Sequence, residues 1–217
     1  MLGRFTATGQ EGEDLTEEIS RFIQMIGLEE AAPGRYSMLL VLALYGGAMS
    51  GKLNPAKVMW EIRALEGLGP ESRMKAPIQN KHQPLKGLWH KHFMGETVAA
   101  VAANIRKGLG RFGIPYAKSK VEEARISGVE GFFSVEDLKA IAEDVVHGHW
   151  NRLSEQQALT GEWLVFARHE ERNYYLGLTT HENEQHEVMR QQIDRLCCAE
   201  FPFLAQLLAD AAADKPL

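Results

Sequence analysis

Two histidines stand two residues apart in the segment LWHKHF, at positions 90 and 92. The segment alternates as a β-strand does, which places Leu88, His90 and His92 on one face and Trp89, Lys91 and Phe93 on the other. Neighbouring residues on one strand face are about 6–7 Å apart, enough to flank a phosphate. Because histidine exchanges protons near neutral pH, the pair could supply the base and the acid of a phosphodiester cleavage.

Cleavage of RNA without a metal needs three groups. A base takes the 2′-hydroxyl proton, an acid protonates the leaving 5′-oxygen, and a cation or donor stabilises the developing charge. A hairpin predicted in EWLVFARHEERNYYLGLTT offers further groups at its two ends, and its tyrosines could stack an unpaired base. The predicted catalytic set is His90, His92, Arg168, Tyr174, Thr179 and His181.

The charge of the chain is unevenly distributed. The whole chain carries −5, but residues 73–120 hold ten Lys and Arg against one acid and carry +9, which leaves −14 elsewhere. Such a stretch predicts a surface for a polyanion. The predicted nucleic-acid-binding residues are Lys86, Lys91, Arg106, Lys107 and Arg111. Alternatively, the basic run pairs with the acidic remainder of the chain and has no affinity for nucleic acid.

Structural interpretations of the same segments stay open. WHKHF could be an edge strand whose histidines face solvent and whose lysine discourages aggregation. The segment YYLGL could be a core strand, since Leu176 and Leu178 indicate a buried face.

Motifs for other chemistries are missing. There is no GxxxxGK[ST] phosphate loop and no GxSxG nucleophile motif. In HENEQH the two histidines, His181 and His186, are five residues apart, which on one helix separates them by about 140° and prevents a shared metal. We predict no metal and no cofactor, with a metal-dependent hydrolase using His90 and His92 as a remaining alternative.

The predicted elements define the fold class as α+β. Residues 1–70 form a helical N-terminal region, and residues 71–83 form a basic connector. The helices of the N-terminal region are predicted near 14–26, 36–45 and 54–66. Asp14 and Glu17 predict a capping box and Gly27 the end of the first helix, and Asn54 before Pro55 predicts the N-cap of the third. Residues 84–217 form an α+β domain, a small antiparallel sheet flanked by helices. Its helices are predicted near 96–107, ending at Gly108, and near 134–150, with histidines of HGHW at the helix C-terminus.

Cysteine usage and hydropathy bear on the compartment. Cys197 and Cys198 are adjacent on a predicted helix, about 100° apart, a poor geometry for a mutual disulfide, which favours a reduced, cytoplasmic setting. The N-terminus lacks the apolar segment of a signal peptide. The uncharged run at residues 36–51 is shorter than the roughly 20 apolar residues that span a bilayer, so we predict a buried helix and no membrane association.

The order of these features resembles the barnase/EndoU/RelE-type ribonucleases over residues 84–200. The resemblance implies a small α+β domain that cleaves RNA without metal, as many toxins of that group do. It implies His90 or His92 as the strand-borne acid or base, Lys91 or Arg168 as the phosphate-binding cation, and Thr179 or Tyr174 as the polar residue of the late hairpin. That fold needs about four strands, and the sequence predicts three.

The leading hypothesis is an RNA-binding protein acting as a metal-independent endoribonuclease of toxin type. The alternative is a non-catalytic interaction or regulatory protein, associated with a phage, a plasmid or a toxin–antitoxin pair, in which residues 1–70 bind a protein partner.

Overall fold

The computed structural model describes residues 5–95, 98–128 and 131–213. The helices are α1 (Thr16–Ile26), α2 (Leu28–Ala31), α3 (Met38–Met49), α4 (Pro55–Leu65), α5 (Val98–Phe112), α6 (Pro115–Ser127), α7 (Val135–Glu143), α8 (His149–Glu155), α9 (Asn183–Gln192), α10 (Cys198–Glu200) and α11 (Phe203–Ala213). The strands are β1 (Ile78–Gln79), β2 (Trp89–Phe93), β3 (Glu162–His169) and β4 (Arg172–Thr179). Two π-helical turns, Asp144–Gly148 and Ile193–Cys197, follow α7 and α9.

The chain forms two compact units. Unit 1 comprises residues 1–72, 76–94 and 161–217, and unit 2 comprises residues 73–75 and 95–160. Unit 1 contains the whole sheet, and the elements described in unit 2 are the helices α5 to α8 with the first π-helical turn. These limits differ from the predicted limits at residues 70 and 84, because the helices that follow β2 form a unit of their own before the chain returns to the sheet.

The sheet is antiparallel throughout, with the strand order β1-β2-β3-β4. The predicted α+β class is therefore confirmed. The strand that sequence patterns missed is β1, a pair of residues inside the predicted connector and too short to show a period. The predicted hairpin is β3–β4, and its turn residues Glu170 and Glu171 both have positive φ, as a two-residue type I′ turn requires.

The segment WHKHF lies inside the sheet. It pairs with β1 on one side and with β3 on the other, and His90, Lys91 and His92 are all buried. The edge-strand interpretation, with solvent-facing histidines, is therefore wrong. The predicted division of the strand between two faces is confirmed. His90 and His92 contact Trp163 on one face, whereas Lys91 contacts Glu61 of α4 on the other.

Helices cover both faces of the sheet in unit 1. On one face, Phe93, Leu164, Phe166 and Tyr175 share a buried cluster with side chains of α1 to α4. On the other face, Val165, Ala167 and Leu176 are buried with side chains of α9, α11 and the second π-helical turn. Residues 5–65 therefore pack into the same core as the sheet.

Local signals position several helices as predicted. Asn54 caps α4, where its Oδ1 accepts from the N–H of Ala56 at 3.0 Å, and Gly27 ends α1 in the left-handed conformation at φ 72°. The predicted capping box at Asp14 is not formed. The helix begins at Thr16, and the Asp14 carboxylate accepts from the Thr16 N–H instead.

Gly108 does not end a helix in unit 2. α5 continues to Phe112, and a Cβ at Gly108 would lie 2.5 Å from the Cβ of His149, so glycine permits the close approach of α5 and α8. His149 is correspondingly buried inside a helix, and its Nε2 donates to the Gly113 carbonyl at 2.7 Å. The predicted helix end at HGHW is wrong, because the chain passes through a π-helical turn into α8. The predicted helix start at Glu96 lies outside the described residues.

None of the helices in the described ranges is long and apolar enough to cross a membrane. The apolar run at residues 36–51 forms α3, which contributes Leu40, Val41 and Leu44 to the buried core.

A partly buried polar network joins the end of α4 to β4. The carboxylate of Glu66 accepts from Arg35 Nη1 at 3.0 Å, from the Tyr175 hydroxyl at 2.6 Å and from Asn173 Nδ2 at 3.2 Å. Burial by itself would raise the pKa of Glu66, but the hydrogen bonds from these three side chains outweigh it and hold the pKa below 4.5.

Replacing Glu66 with glutamine is expected to lower the free energy of unfolding at neutral pH by about 1.5–3 kcal/mol, because bonds to a charged acceptor are lost. A lowered carboxyl pKa stabilises the fold above the unfolded pKa and ceases to do so as the pH falls through the folded pKa. The difference between the variant and the wild type should therefore shrink on acidification below the unfolded value of 4.5. Urea unfolding at several pH values measures it, and Glu17→Gln in an exposed pair should change little.

Candidate functional site

Four imidazoles gather around the indole of Trp163 in unit 1. His90 and His92 come from β2, His181 is the second residue after β4, and His186 lies on α9. We call these five residues the histidine cluster. Three separate parts of the chain thus contribute histidines to one side of β3.

The rings of the cluster are in direct contact. The His90 ring stacks on Trp163 with centroids 3.7 Å apart, and the His186 ring stacks on it at 4.6 Å. His181 and His92 meet the indole edge-on at 5.2 and 6.1 Å, and they stack on each other at 5.2 Å. Trp163 therefore orients all four imidazoles.

One backbone carbonyl holds two of the histidines. The Gly161 oxygen lies 2.9 Å from His92 Nδ1 and 2.7 Å from His181 Nε2. A carbonyl only accepts, so these nitrogens carry the hydrogens, and the other nitrogen of each neutral ring carries the lone pair. The Gly161 N–H also lies 3.4 Å from His92 Nδ1, which would need the opposite tautomer, but the shorter contact decides.

The other two histidines are held in the same way. His90 Nδ1 donates to Asn80 Oδ1 at 2.8 Å, and the amide orientation of Asn80 is fixed because its Nδ2 donates to the Leu88 carbonyl at 3.1 Å. His186 Nε2 donates to the Thr180 carbonyl at 2.8 Å. Fixing one nitrogen as a donor is how proteins prepare the opposite nitrogen of an imidazole to take up a proton.

The cluster ranges from the interior to the surface. His92 is 2% exposed and His90 is 5% exposed, whereas His181 is exposed and Trp163 is half-buried. The indole Nε1 of Trp163 is a buried donor without a hydrogen-bond partner among the described residues. His181 is thus the imidazole that a large ligand would meet first.

The predicted catalytic set is divided by the structure. Thr179 lies opposite Trp163 in the β3–β4 register, in the same row of the sheet as His92. Arg168 lies near the hairpin turn, where its guanidinium is 3.9 Å from the centre of the Trp89 ring. Tyr174 packs against Phe201 and Phe203. His90, His92, Thr179 and His181 therefore belong together, while Arg168 and Tyr174 have other contacts.

Two members of the cluster were not predicted. In the sequence, Trp163 has the pattern of an ordinary strand residue. Its position opposite His92 follows only from the strand register. His186 was separated from His181 on the assumption that both lie on one helix. That assumption is wrong because α9 begins at Asn183, and both histidines contact Trp163.

The predicted nucleic-acid-binding cations also differ in their surroundings. Lys91 is 3% exposed, and its Nζ lies 3.3 Å from Glu61 Oε2 on α4, so it is a buried ion-pair partner rather than part of a basic surface. Lys86 is half-buried in unit 1. In unit 2, Arg106 and Arg111 are exposed on α5, and Lys107 donates to the Ala158 carbonyl.

Charges around Lys107 influence one another. Burial lowers the pKa of Lys107, and the positive charges of Lys75 and Arg111 lower it further. All three residues belong to unit 2. A phosphate bound there would relieve this repulsion.

Unit 1 also carries an apolar groove between α1, α3 and α4, of about 630 Å³. Met25, Met49, Met59 and Trp60 are among the residues that line it, and all of these except Met59 are exposed.

In residues 5–95, 98–128 and 131–213, no group of three or more His, Cys, Asp or Glu side chains is arranged to hold a metal ion.

No protein-family model, no curated protein and no solved structure matches this chain.

Proposed function

We propose that the chain binds single-stranded RNA and cleaves it without a metal ion by acid–base chemistry at the histidine cluster. The observation that carries the proposal is the convergence of His90, His92 and His181, from two distant segments, on one half-buried indole. All of these rings have one nitrogen held by an oxygen acceptor.

His92 and His181 are the acid–base pair of the proposal. One imidazole takes the proton of a ribose 2′-hydroxyl, whose oxygen forms a bond to phosphorus. The bond from phosphorus to the 5′-oxygen breaks, and the other imidazole, in its protonated form, gives that oxygen a proton. The products are a 2′,3′-cyclic phosphate and a free 5′-hydroxyl. His90 acts as a positioning residue through its stack on Trp163.

Two further groups of the cluster suit a phosphodiester. The Trp163 Nε1–H is a buried donor that a phosphate oxygen could accept from, and buried donors in proteins are rarely left without an acceptor. The Thr179 hydroxyl lies in the same sheet row as His92. Either group could stabilise the charge that develops on the phosphate.

The test of cleavage is direct. The purified protein is incubated with a mixed-sequence RNA in EDTA, beside DNA of the same sequence, which lacks the 2′-hydroxyl. We expect RNA fragments ending in a cyclic phosphate, and intact DNA. RNA that stays intact at micromolar protein contradicts the cleavage reaction.

RNA binding by unit 2 predicts a salt dependence. Each lost contact with a phosphate should reduce the slope of log affinity against log salt by about 0.7 for a single strand. We expect such a reduction for Arg106→Ala and again for Arg111→Ala, measured by filter binding over a range of salt. Arg21→Ala, an exposed arginine paired with Glu17 in unit 1, is the matched control and should leave the slope unchanged.

The groove between α1, α3 and α4 favours the second candidate, a non-catalytic protein that binds a partner through residues 1–70. Methionines adapt to varied apolar partners, and Trp60 could anchor one. This candidate predicts neither RNA retention nor RNA products in the assays above.

A further inference from the structure

The helical hairpin α6–α7 in unit 2 exposes far more apolar surface than it buries. The structure describes every residue of α6 and α7, and none of them is buried. Among the described residues of this hairpin and its loop, three exposed apolar side chains line one groove, here called the hairpin surface: Val121, Phe132 and Phe133. Phe132 is 96% exposed and Val121 is 61% exposed. Ile126, Val135 and Leu138 are also exposed but do not line this groove. Scattered single apolar residues are ordinary, but a contiguous set indicates an interface.

The hairpin surface is concave. A groove of about 750 Å³ is lined by Val121, Ala124, Phe132 and Phe133, with Lys120 and Asp137 among its polar residues. Aromatic side chains that enter such grooves supply most of the binding energy at protein interfaces.

The size of the hairpin surface fits a dimer. The exposed fractions of its three residues together equal about two complete residues, which is roughly 300–500 Å² of apolar area. A standard interface buries about 800 Å² on each partner, of which roughly 450 Å² is apolar. One hairpin surface is therefore large enough to form the apolar core of a dimer interface.

The charges around the hairpin surface favour a second copy of the same chain. The two helices carry four basic and five acidic residues, nearly equal numbers. Lys120 pairs with Asp137 at 3.5 Å, and Arg125 pairs with Glu122 at 2.7 Å. A two-fold interface places a surface against itself, so it tolerates only a surface without a large net charge. A nucleic acid would meet too many carboxylates here.

We propose that the hairpin surface of α6–α7 is the interface of a homodimer, in which Phe132 of each copy enters the groove of the other. The proposal does not depend on RNA cleavage, since unit 1 carries the histidine cluster.

Sedimentation velocity of the full chain over a range of concentrations tests the dimer. The wild type should sediment with twice the mass of the 24.3 kDa monomer. Phe132→Glu and Val121→Glu should each weaken the dimer by about 30-fold or more, the loss expected at a central interface residue. Their circular dichroism and thermal unfolding at high dilution should match the wild type, because neither side chain is buried.

Met25→Glu is the matched control. Met25 is 76% exposed and lines the other apolar groove, in unit 1, so this variant should remain a dimer. A monomeric wild type at high micromolar concentration overturns the proposal, as does a Phe132→Glu variant that stays dimeric. Dissociation by Met25→Glu would assign the interface to the groove of unit 1 and also overturn it.

Discussion

Replacing Lys91 with alanine is expected to lower the free energy of unfolding by about 3–5 kcal/mol, because a carboxylate is left buried without its counter-charge. Lys91 Nζ lies 3.3 Å from Glu61 Oε2, and the two side chains are 3% and 5% exposed. Burial raises the pKa of Glu61 and lowers the pKa of Lys91, while the charge of each partner opposes the effect of burial on the other. Removing either charge removes that compensation.

A double replacement that removes both charges shows whether the intact ion pair stabilises the fold more than apolar side chains of similar volume would. Lys91→Met combined with Glu61→Leu leaves no buried charge and keeps similar volumes, so its stability should be close to or above that of the wild type. Arg21→Ala, which breaks the exposed pair with Glu17, should cost less than about 1 kcal/mol. Urea unfolding measures all of these variants. A Lys91→Ala variant no less stable than Arg21→Ala would contradict the prediction.

The same double variant tests the role that the sequence assigned to Lys91. The charge of Lys91 is already paired with Glu61 at 3.3 Å, so we do not expect Lys91 to bind a phosphate. The Lys91→Met, Glu61→Leu variant should therefore bind RNA with the salt dependence of the wild type. If the slope of log affinity against log salt is reduced in this variant, Lys91 does bind a phosphate.

Patterns in neighbouring residues predicted much of the fold. Alternation in WHKHF divided the histidines from Lys91, and β2 has this arrangement. The apolar runs around a polar turn predicted the β3–β4 hairpin, and the sequence Asn54-Pro55 predicted the start of α4. In each of these places a period of two, a turn or a cap determines the structure locally.

Burial could not be predicted from neighbouring residues. Histidine and lysine are usually exposed or partly exposed, so a strand that contains them was interpreted as an edge. Lys91 is buried because Glu61, 30 residues earlier, reaches it from α4, and His90 is buried because Trp163 of β3 stacks on its ring. Both partners are identified only once the tertiary fold is known.

The candidate site was predicted in part for a similar reason. His90, His92, Thr179 and His181 were selected by residue type, and the strand register brings them near one another. Trp163 and His186 were missed because the register and the start of α9 fix their positions. Arg168 and Tyr174 were selected for proximity along the hairpin, but the turn end of β3–β4 is remote from the row that holds His92.

Replacing either histidine of the proposed acid–base pair should reduce RNA cleavage by about 10²–10⁴-fold, the usual contribution of general acid–base catalysis. His92→Asn and His181→Gln are the informative variants. The asparagine Nδ2 and the glutamine Nε2 can still donate to the Gly161 carbonyl, but neither side chain can transfer a proton. Each variant should lose one limb of the bell-shaped dependence of rate on pH, whereas a merely structural residue would leave both limbs.

His169→Ala provides the matched control for this loss. His169 lies at the turn end of β3 and stacks on Phe203 with centroids 4.0 Å apart, outside the histidine cluster. Its replacement should leave the rate within a few-fold of the wild type, as should Arg168→Ala and Tyr174→Phe. Because Asn and Gln preserve the bonds to Gly161, a loss of activity with unchanged thermal unfolding identifies proton transfer as the lost function. Full activity in both His92→Asn and His181→Gln would remove the histidine cluster from the reaction.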